Sequence, residues 1–264
     1  MLSIVMRNAR RILCLLLAFL ACQCAPIPIE QGRAYRGHSA YAPPTNYPVL
    51  TRQVTPKDLW NEVNLVKDMV PRGRHGRRVV RPMTPRYITV HSTQNYSRDA
   101  DALRHALALK RGALRSPRRR GGNRIGYLIW HYSIDEERVV QHMPTYEQGE
   151  HADFDGPGNR YSIGVEMCEN RGNSRSKTIE RTAKLCAALM HDHNIPLRNV
   201  VPHYHWPRRG KNPPNKDCPH FLLDNGKPGR KWQWFLNKVD KYYKEYAPPP
   251  PPPVVNPAEI VSNP

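Results

Sequence analysis

The chain of 264 residues is 39% hydrophobic and carries 41 Lys and Arg against 22 Asp and Glu, a formal charge of +19. It is long enough to bury one substantial core, and so basic a balance suits nucleic acid, an anionic membrane surface or an acidic polymer rather than a basic partner. Cys14, Cys22 and Cys24 lie at the N-terminal end, leaving Cys168, Cys186 and Cys218 in the body, which excludes a disulfide-dense scaffold.

The chain opens MLSIVMRNARRILCLLLAFLACQC, with Arg7, Arg10 and Arg11 ahead of an apolar run from Ile12 to Ala21. That is the layout of an export signal over residues 1–21. The run falls short of the about 20 apolar residues that a membrane-spanning helix needs. Leu20 and Ala21 before Cys22 resemble the cleavage box of a bacterial lipoprotein, with Phe19 where such boxes usually carry leucine. Two destinations follow: a periplasmic protein lipid-anchored to the outer membrane through Cys22, or an ordinarily secreted one. Residues 22–55 are polar and broken by proline, and read as a flexible arm. The basic runs PRGRHGRRVVRPMTPR (71–86) and RSPRRRGGNR (115–124) have loop composition. They lack the interleaved aromatic residues that base stacking needs, so they read as solvated loops and no specific nucleic acid is expected.

Between the arm and residue 246 the pattern becomes regular. PRYITVHS is a predicted strand, its β-branched Ile88, Thr89 and Val90 bounded by proline and by polar residues. DADALRHALALKRG (99–112) is a predicted helix capped by Asp99 or Asp101 and stopped by Gly112. YLIWHYSID and ERVVQHM predict two strands turning at Glu136 and Glu137, and SIGVEMCEN another strand. Lys177 to His193 is a predicted helix, with Ile179, Ala183, Cys186, Leu189 and Met190 spaced along one face. NVVPHYHW is the last predicted strand, and Lys231 to Tyr246 a closing amphipathic helix. Strands and helices alternate, which points to an α/β sheet flanked by helices. Residues 247–264, with prolines from Pro248 to Pro253, read as an extended tail. No internal repeat is visible.

His91 closes the first core strand and His203 the last. A sheet that sets those strands side by side brings the imidazoles together, with Cys218 in the loop beyond. Two imidazoles and a thiolate, with a fourth position left to water, match a catalytic zinc site. Taken singly, each histidine also reads as a surface or structural residue, and the cysteine as core. His205 rivals His203, because residues two apart on a strand share a face. Cys168 and Cys186 read as plain core.

Taken in order, VHSTQN, WHYSID, GEHADFDGPGNRYSIGVEMCEN, HYHW and KDCPHF resemble the zinc N-acetylmuramoyl-L-alanine amidases, which share a fold with peptidoglycan-recognition proteins and phage-type amidase lysozymes. The resemblance runs from Tyr87 to Leu223. It implies a single domain over residues 56–246 with a central mixed β-sheet flanked by helices. His91, His203 and Cys218 fall on the family's zinc-ligand positions, His203 with Trp206 reproducing its H-x-x-W. Glu166 and Lys216 fall on its catalytic glutamate and lysine, and His151 on a cleft histidine. His205, Trp130 and Asn159 are placed as further substrate contacts. Two departures stand out. RRGKNPPN (208–215) is an insertion where the family's loop is commonly shorter, and Trp130 stands before His131 where several relatives carry a tyrosine, so that its role falls to Glu166.

The implied reaction is hydrolysis of the amide between N-acetylmuramic acid and L-alanine in peptidoglycan or muropeptides, by a monomer. The resemblance leaves a second reading on the same fold, a non-catalytic peptidoglycan-binding protein. Retention of the cysteine ligand argues for the enzyme. A basic nucleic-acid-binding zinc protein is a third reading, opposed by the lack of closely spaced ligand pairs.

Overall fold

The computed structural model describes residues 54–116 and 125–248. The predicted export signal, Cys22, the predicted arm up to residue 53, the core of the second basic run and the predicted tail from residue 249 lie outside the described residues. Among the described residues no helix is long and apolar enough to cross a membrane.

The elements in chain order are α1 (Pro56–Glu62), β1 (Leu65–Lys67), β2 (Tyr87–Ser92), α2 (Ala102–Arg111), β3 (Tyr132–Ile134), β4 (Val139–Gln141), α3 (Pro157–Tyr161), β5 (Ser162–Met167), α4 (Arg175–His193), β6 (Val200–Pro202) and α5 (Arg230–Glu245). The strands form one six-stranded sheet in the order β1-β4-β3-β5-β2-β6. All neighbours are parallel except β3 and β4, which form the expected antiparallel hairpin. Its turn is closed by Asp135, whose Oδ1 accepts from the backbone N–H groups of Glu137 at 2.8 Å and Arg138 at 2.9 Å. The sheet is therefore mixed, as the family resemblance implies.

The strand sequences sort their side chains by alternation, since successive residues of a strand point to opposite faces. Ile88 and Val90 of β2, Ile163, Val165 and Met167 of β5, and Tyr132 and Ile134 of β3 all enter one hydrophobic core with α4, α5 and α1. Thr89, His91, Ser162, Gly164, Glu166 and Ser133 are the residues in between, and they share the other face. On that face α2 packs Ala102 and Ala106 against Val140 and Cys168 towards one end, and the other end is left to polar chemistry.

The predicted helices hold. α2 starts at Asp101, whose Oδ1 accepts from the N–H of Arg104 at 2.7 Å, and stops at Gly112 with φ 65°, a left-handed turn that glycine adopts at little cost. α4 buries Ile179, Ala183, Cys186, Leu189 and Met190 as expected, and also Leu185, Ala187 and Ala188. The wider apolar surface has a cause: α4 contacts β3 and β5 as well as α1 and α5. Cys168 and Cys186 are buried and free, as the core reading expects.

Two differences matter. The stretch 127–135 is a strand only over Tyr132–Ile134; upstream, Ile129 makes an isolated bridge to Glu150 instead. NVVPHYHW is a strand only as far as Pro202, after which His203–His205 turn as a single 3-10 turn closed by the Trp206 N–H on the His203 carbonyl. The short elements α1, β1 and α3 add to the predicted set.

Candidate metal centre

The strand register brings the two histidines together. β2 pairs in parallel with β6, Val90 beside Pro202, so the next residues, His91 still within β2 and His203 just past the end of β6, stand side by side. Their Nδ1 atoms are 2.8 Å apart and both rings are buried. On the other flank β5 sets Glu166 opposite His91, with Oε1 3.8 Å from its Nδ1. Cys218 arrives from the loop after β6. Its thiol sulfur accepts from the Ser92 N–H at 3.3 Å, and its carbonyl accepts from the Tyr204 N–H at 3.1 Å. One donor atom from each of His91, His203 and Cys218 lies within 4.8 Å of the others.

The tryptophan of H-x-x-W has a physical task here. Trp206 Nε1 donates to Thr89 Oγ1 at 2.8 Å, and its ring stands edge-on to Tyr87 at 5.1 Å. Both partners sit on the His91 face of β2. The loop thus leaves the sheet from an anchored point.

The protonation pattern fits a cation. His203 Nε2 faces the Ala152 carbonyl at 3.0 Å, so it must carry the ring hydrogen, leaving a bare lone pair on Nδ1. His91 Nε2 lies 3.0 Å from His151 Nδ1. His91 can therefore donate to His151 and keep its own Nδ1 lone pair for a metal. Burial keeps both rings neutral: the pKa of His91 lies well below the usual range, with His203, His151 and Lys216 adding repulsion, and that of His203 falls to about 3, lowered further by Lys216 and Arg208. Two neutral imidazoles and a sulfur suit a borderline-soft divalent ion. Burial, with Glu166 nearby, holds the Cys218 thiol up at about 12, and a bound cation would favour its thiolate.

Glu166 is the reactive-looking carboxyl. Burial pushes its pKa up to about 8, Lys216 drawing it down and Glu169 pushing it up. Its Oε2 is buried without a hydrogen-bond partner, an acceptor left for whatever enters the cleft. Gly164, two residues earlier, makes room for His151: a Cβ there would stand 2.8 Å from three atoms of that ring.

The cleft over this centre is lined by all three imidazole-bearing residues His91, His151 and His203, by Glu166 and Lys216, and by Trp130 and Asn159. Cys218 closes the centre from below, fully buried. Trp130 presents its ring while its Nε1 donates to Ser133 Oγ at 2.8 Å. Asn159 is occupied on every side. Its Oδ1 accepts from the N–H groups of His151 and Ala152, both at 2.8 Å, and its Nδ2 donates to Glu150 Oε2 and to the Phe154 carbonyl. With two acceptor and two donor positions filled, Asn159 shapes the cleft wall by holding the 150–154 turn and offers no free group to a substrate. His205 is outside the lining. The 3-10 turn removes the strand alternation that made it a rival of His203, and its exposed ring packs on Trp206 at 4.5 Å.

Glu150, Leu128, Phe154, Arg208 and Lys211 also line the cleft, none of them singled out in the sequence. Glu150 could have been found from its place beside His151; its Oε1 is 2.5 Å from Arg81 Nη1. Arg208 and Lys211 belong to the 208–215 loop that follows β6.

A family model described as N-acetylmuramoyl-L-alanine amidase matches residues 81–221. The chain is 40% identical over 163 residues to the N-acetylmuramoyl-L-alanine amidase XlyA of Bacillus subtilis (strain 168), covering 61% of this chain and 48% of that protein. It is 36% identical over 179 residues to CwlH of the same organism, named for the same activity, covering 67% and 61%. The chain thus spans about half to three-fifths of the curated relatives it matches. The solved catalytic domain of XlyA superposes with a TM-score of 0.54 at 39% identity, over 67% of this chain and 99% of that one. A mutant endolysin from Bacillus subtilis gives 0.55 at 38% identity, with the same coverage. The match of more than half the chain, spanning every residue of the His-His-Cys centre, makes this protein a member of the N-acetylmuramoyl-L-alanine amidase family.

Proposed function

We propose that this chain hydrolyses the amide bond between N-acetylmuramic acid and the L-alanine of the stem peptide, with zinc held by His91, His203 and Cys218. The observation that carries the reading is the convergence of those three donors within 4.8 Å beside an unpartnered carboxyl oxygen of Glu166. Zinc bound to such a donor set supplies a water whose pKa falls to about 7 and a Lewis acid for the carbonyl.

The chain's own groups do the rest. Glu166, next to the centre, takes the proton of the attacking water and passes it to the departing amine, the work of a general base and then a general acid. Its Oε2, buried beside the centre and without a hydrogen-bond partner, is the acceptor that can hold that proton between the two halves of the task. Lys216 lines the same cleft, and its ammonium is the fixed positive charge for the oxyanion that develops on the carbonyl. His151 receives the Nε2 hydrogen of His91 and so holds that ring in the ligating tautomer. Trp130, with no phenolic proton to give, forms part of the wall.

The arrangement of residues 1–21 supports export to the compartment where the wall lies, and Cys22 supports a lipid anchor there. Incubating purified sacculi with the protein tests the activity: free stem peptides appear, and a chelator stops their release. A protein that sediments with the wall and frees nothing would be a binder on an enzyme's fold.

A further inference from the structure

The insertion puts cations where the substrate must lie. Arg208, half-buried, and Lys211, exposed at the rim, line the same cleft as Lys216 and the metal-ligand histidines, whereas Arg209 between them is not among its lining residues. The loop that presents them is braced from within. The Arg208 N–H donates to the Pro214 carbonyl at 2.9 Å, Arg208 Nε to the same oxygen at 3.2 Å, and the Lys211 N–H to the Arg208 carbonyl at 3.1 Å. Asn215 Nδ2 ties the far end to the Tyr204 carbonyl at 2.7 Å.

Among the described residues, neither Arg208 nor Lys211 forms an ion pair. Of the two carboxyls lining the cleft, Glu150 is matched by Arg81 and Glu166 belongs to the metal centre. Arg209 of the same loop takes no part in that lining. Cations that line a cleft raise the local concentration of an anion and pair with it on binding.

The chemistry of the substrate says which anion. Of the two sides of the scissile amide, the N-acetylated sugar is neutral, and the stem peptide carries the carboxylates. The first of these past the alanine is the α-carboxylate of the second residue, which may be free or amidated. We infer that Arg208 and Lys211 form a carboxylate subsite on the stem-peptide side of the cleft, selecting substrates whose second stem residue has a free carboxylate. This inference rests on the amide-hydrolase reading above.

The test uses the zinc-loaded full chain and two synthetic muramoyl peptides that differ only in a free carboxylate or a carboxamide at the second residue. The expected kcat/KM favours the free acid by about tenfold or more, the scale of one charge-assisted contact. In the double variant Arg208→Ala/Lys211→Ala the ratio falls towards one, while Arg208→Lys keeps most of it. Zinc content and thermal unfolding show that the variants are folded. A wild-type ratio of one or below, or a preference that survives in the double variant, overturns the subsite. Should the wild type cleave neither compound, the hydrolase reading falls, and calorimetric binding of the same pair decides the subsite alone: tighter binding of the free acid upholds it and equal binding overturns it.

Discussion

The centre has two halves of different construction. His91 and Glu166 stand on paired strands, and His203 follows directly from a third, so a continuous ladder of backbone hydrogen bonds fixes all three. Cys218, Lys216, Arg208 and Lys211 come from one loop, held by a handful of contacts: Ser92 to the sulfur, Tyr204 to the Cys218 carbonyl, Asn215 to the Tyr204 carbonyl, and Trp206 to Thr89. The first half is placed by the packing of the domain and cannot change without it. The second is tied to the sheet only at those points. Loops on a rigid scaffold are where substrate choice is commonly made, and the 208–215 loop fits that division.

The sharpest separation of the halves is on the sheet side. Glu166→Ala is expected to lower turnover by about 10²–10⁴-fold, the range of a lost general acid–base, with zinc content unchanged because no ligand is removed. Stem-peptide release and metal analysis measure the two effects together; full activity in that variant would strip Glu166 of its role. The loop side shows itself in pH. Cys218 must be a thiolate to bind metal, and its thiol is held at about 12, so zinc binding there would displace its proton throughout the neutral range. Affinity is then expected to rise by at least about tenfold per unit between about pH 6 and 8. Calorimetry in buffers of different ionisation heat should find at least one proton released per zinc. A flat profile would remove the cysteine from the ligand set. The smallest effect probes the loop's own stiffness: Asn215→Ala loses a partly buried hydrogen bond worth about 1 kcal/mol. Zinc should leave about fivefold faster, as a chelator-chase measurement would read, with the sheet-borne residues unaffected.

The sequence made the sheet-borne half legible and the loop-borne half only in outline. ITVHS and SIGVEM advertise alternation in their letters, and α4 its helical period, so core and site faces could be read before any register was known. α1, β1 and α3 were too short to show a period; α1 is set by proline at its first position and by Asp58, whose carboxylate accepts from the Thr55 N–H at 2.9 Å. Asn159 lies beside a predicted strand like any polar loop residue, and its engagement with Glu150, His151 and Ala152 follows from how two segments meet. His205 looked like a twin of His203 until Pro202 ended the strand. Arg208 and Lys211 carry no spacing signal, because their direction depends on how the loop folds against Pro214.

In β2 and β5 a single reading frame serves two purposes. Odd and even positions are assigned to oil and to catalysis, so shifting either strand by one residue would bury the imidazole and carboxylate and turn isoleucine and valine into the cleft. Such a chain has no intermediate state in which it folds well and reacts badly through misregister. Room for change without loss of fold therefore lies in the segments that hang from the ends of those two strands.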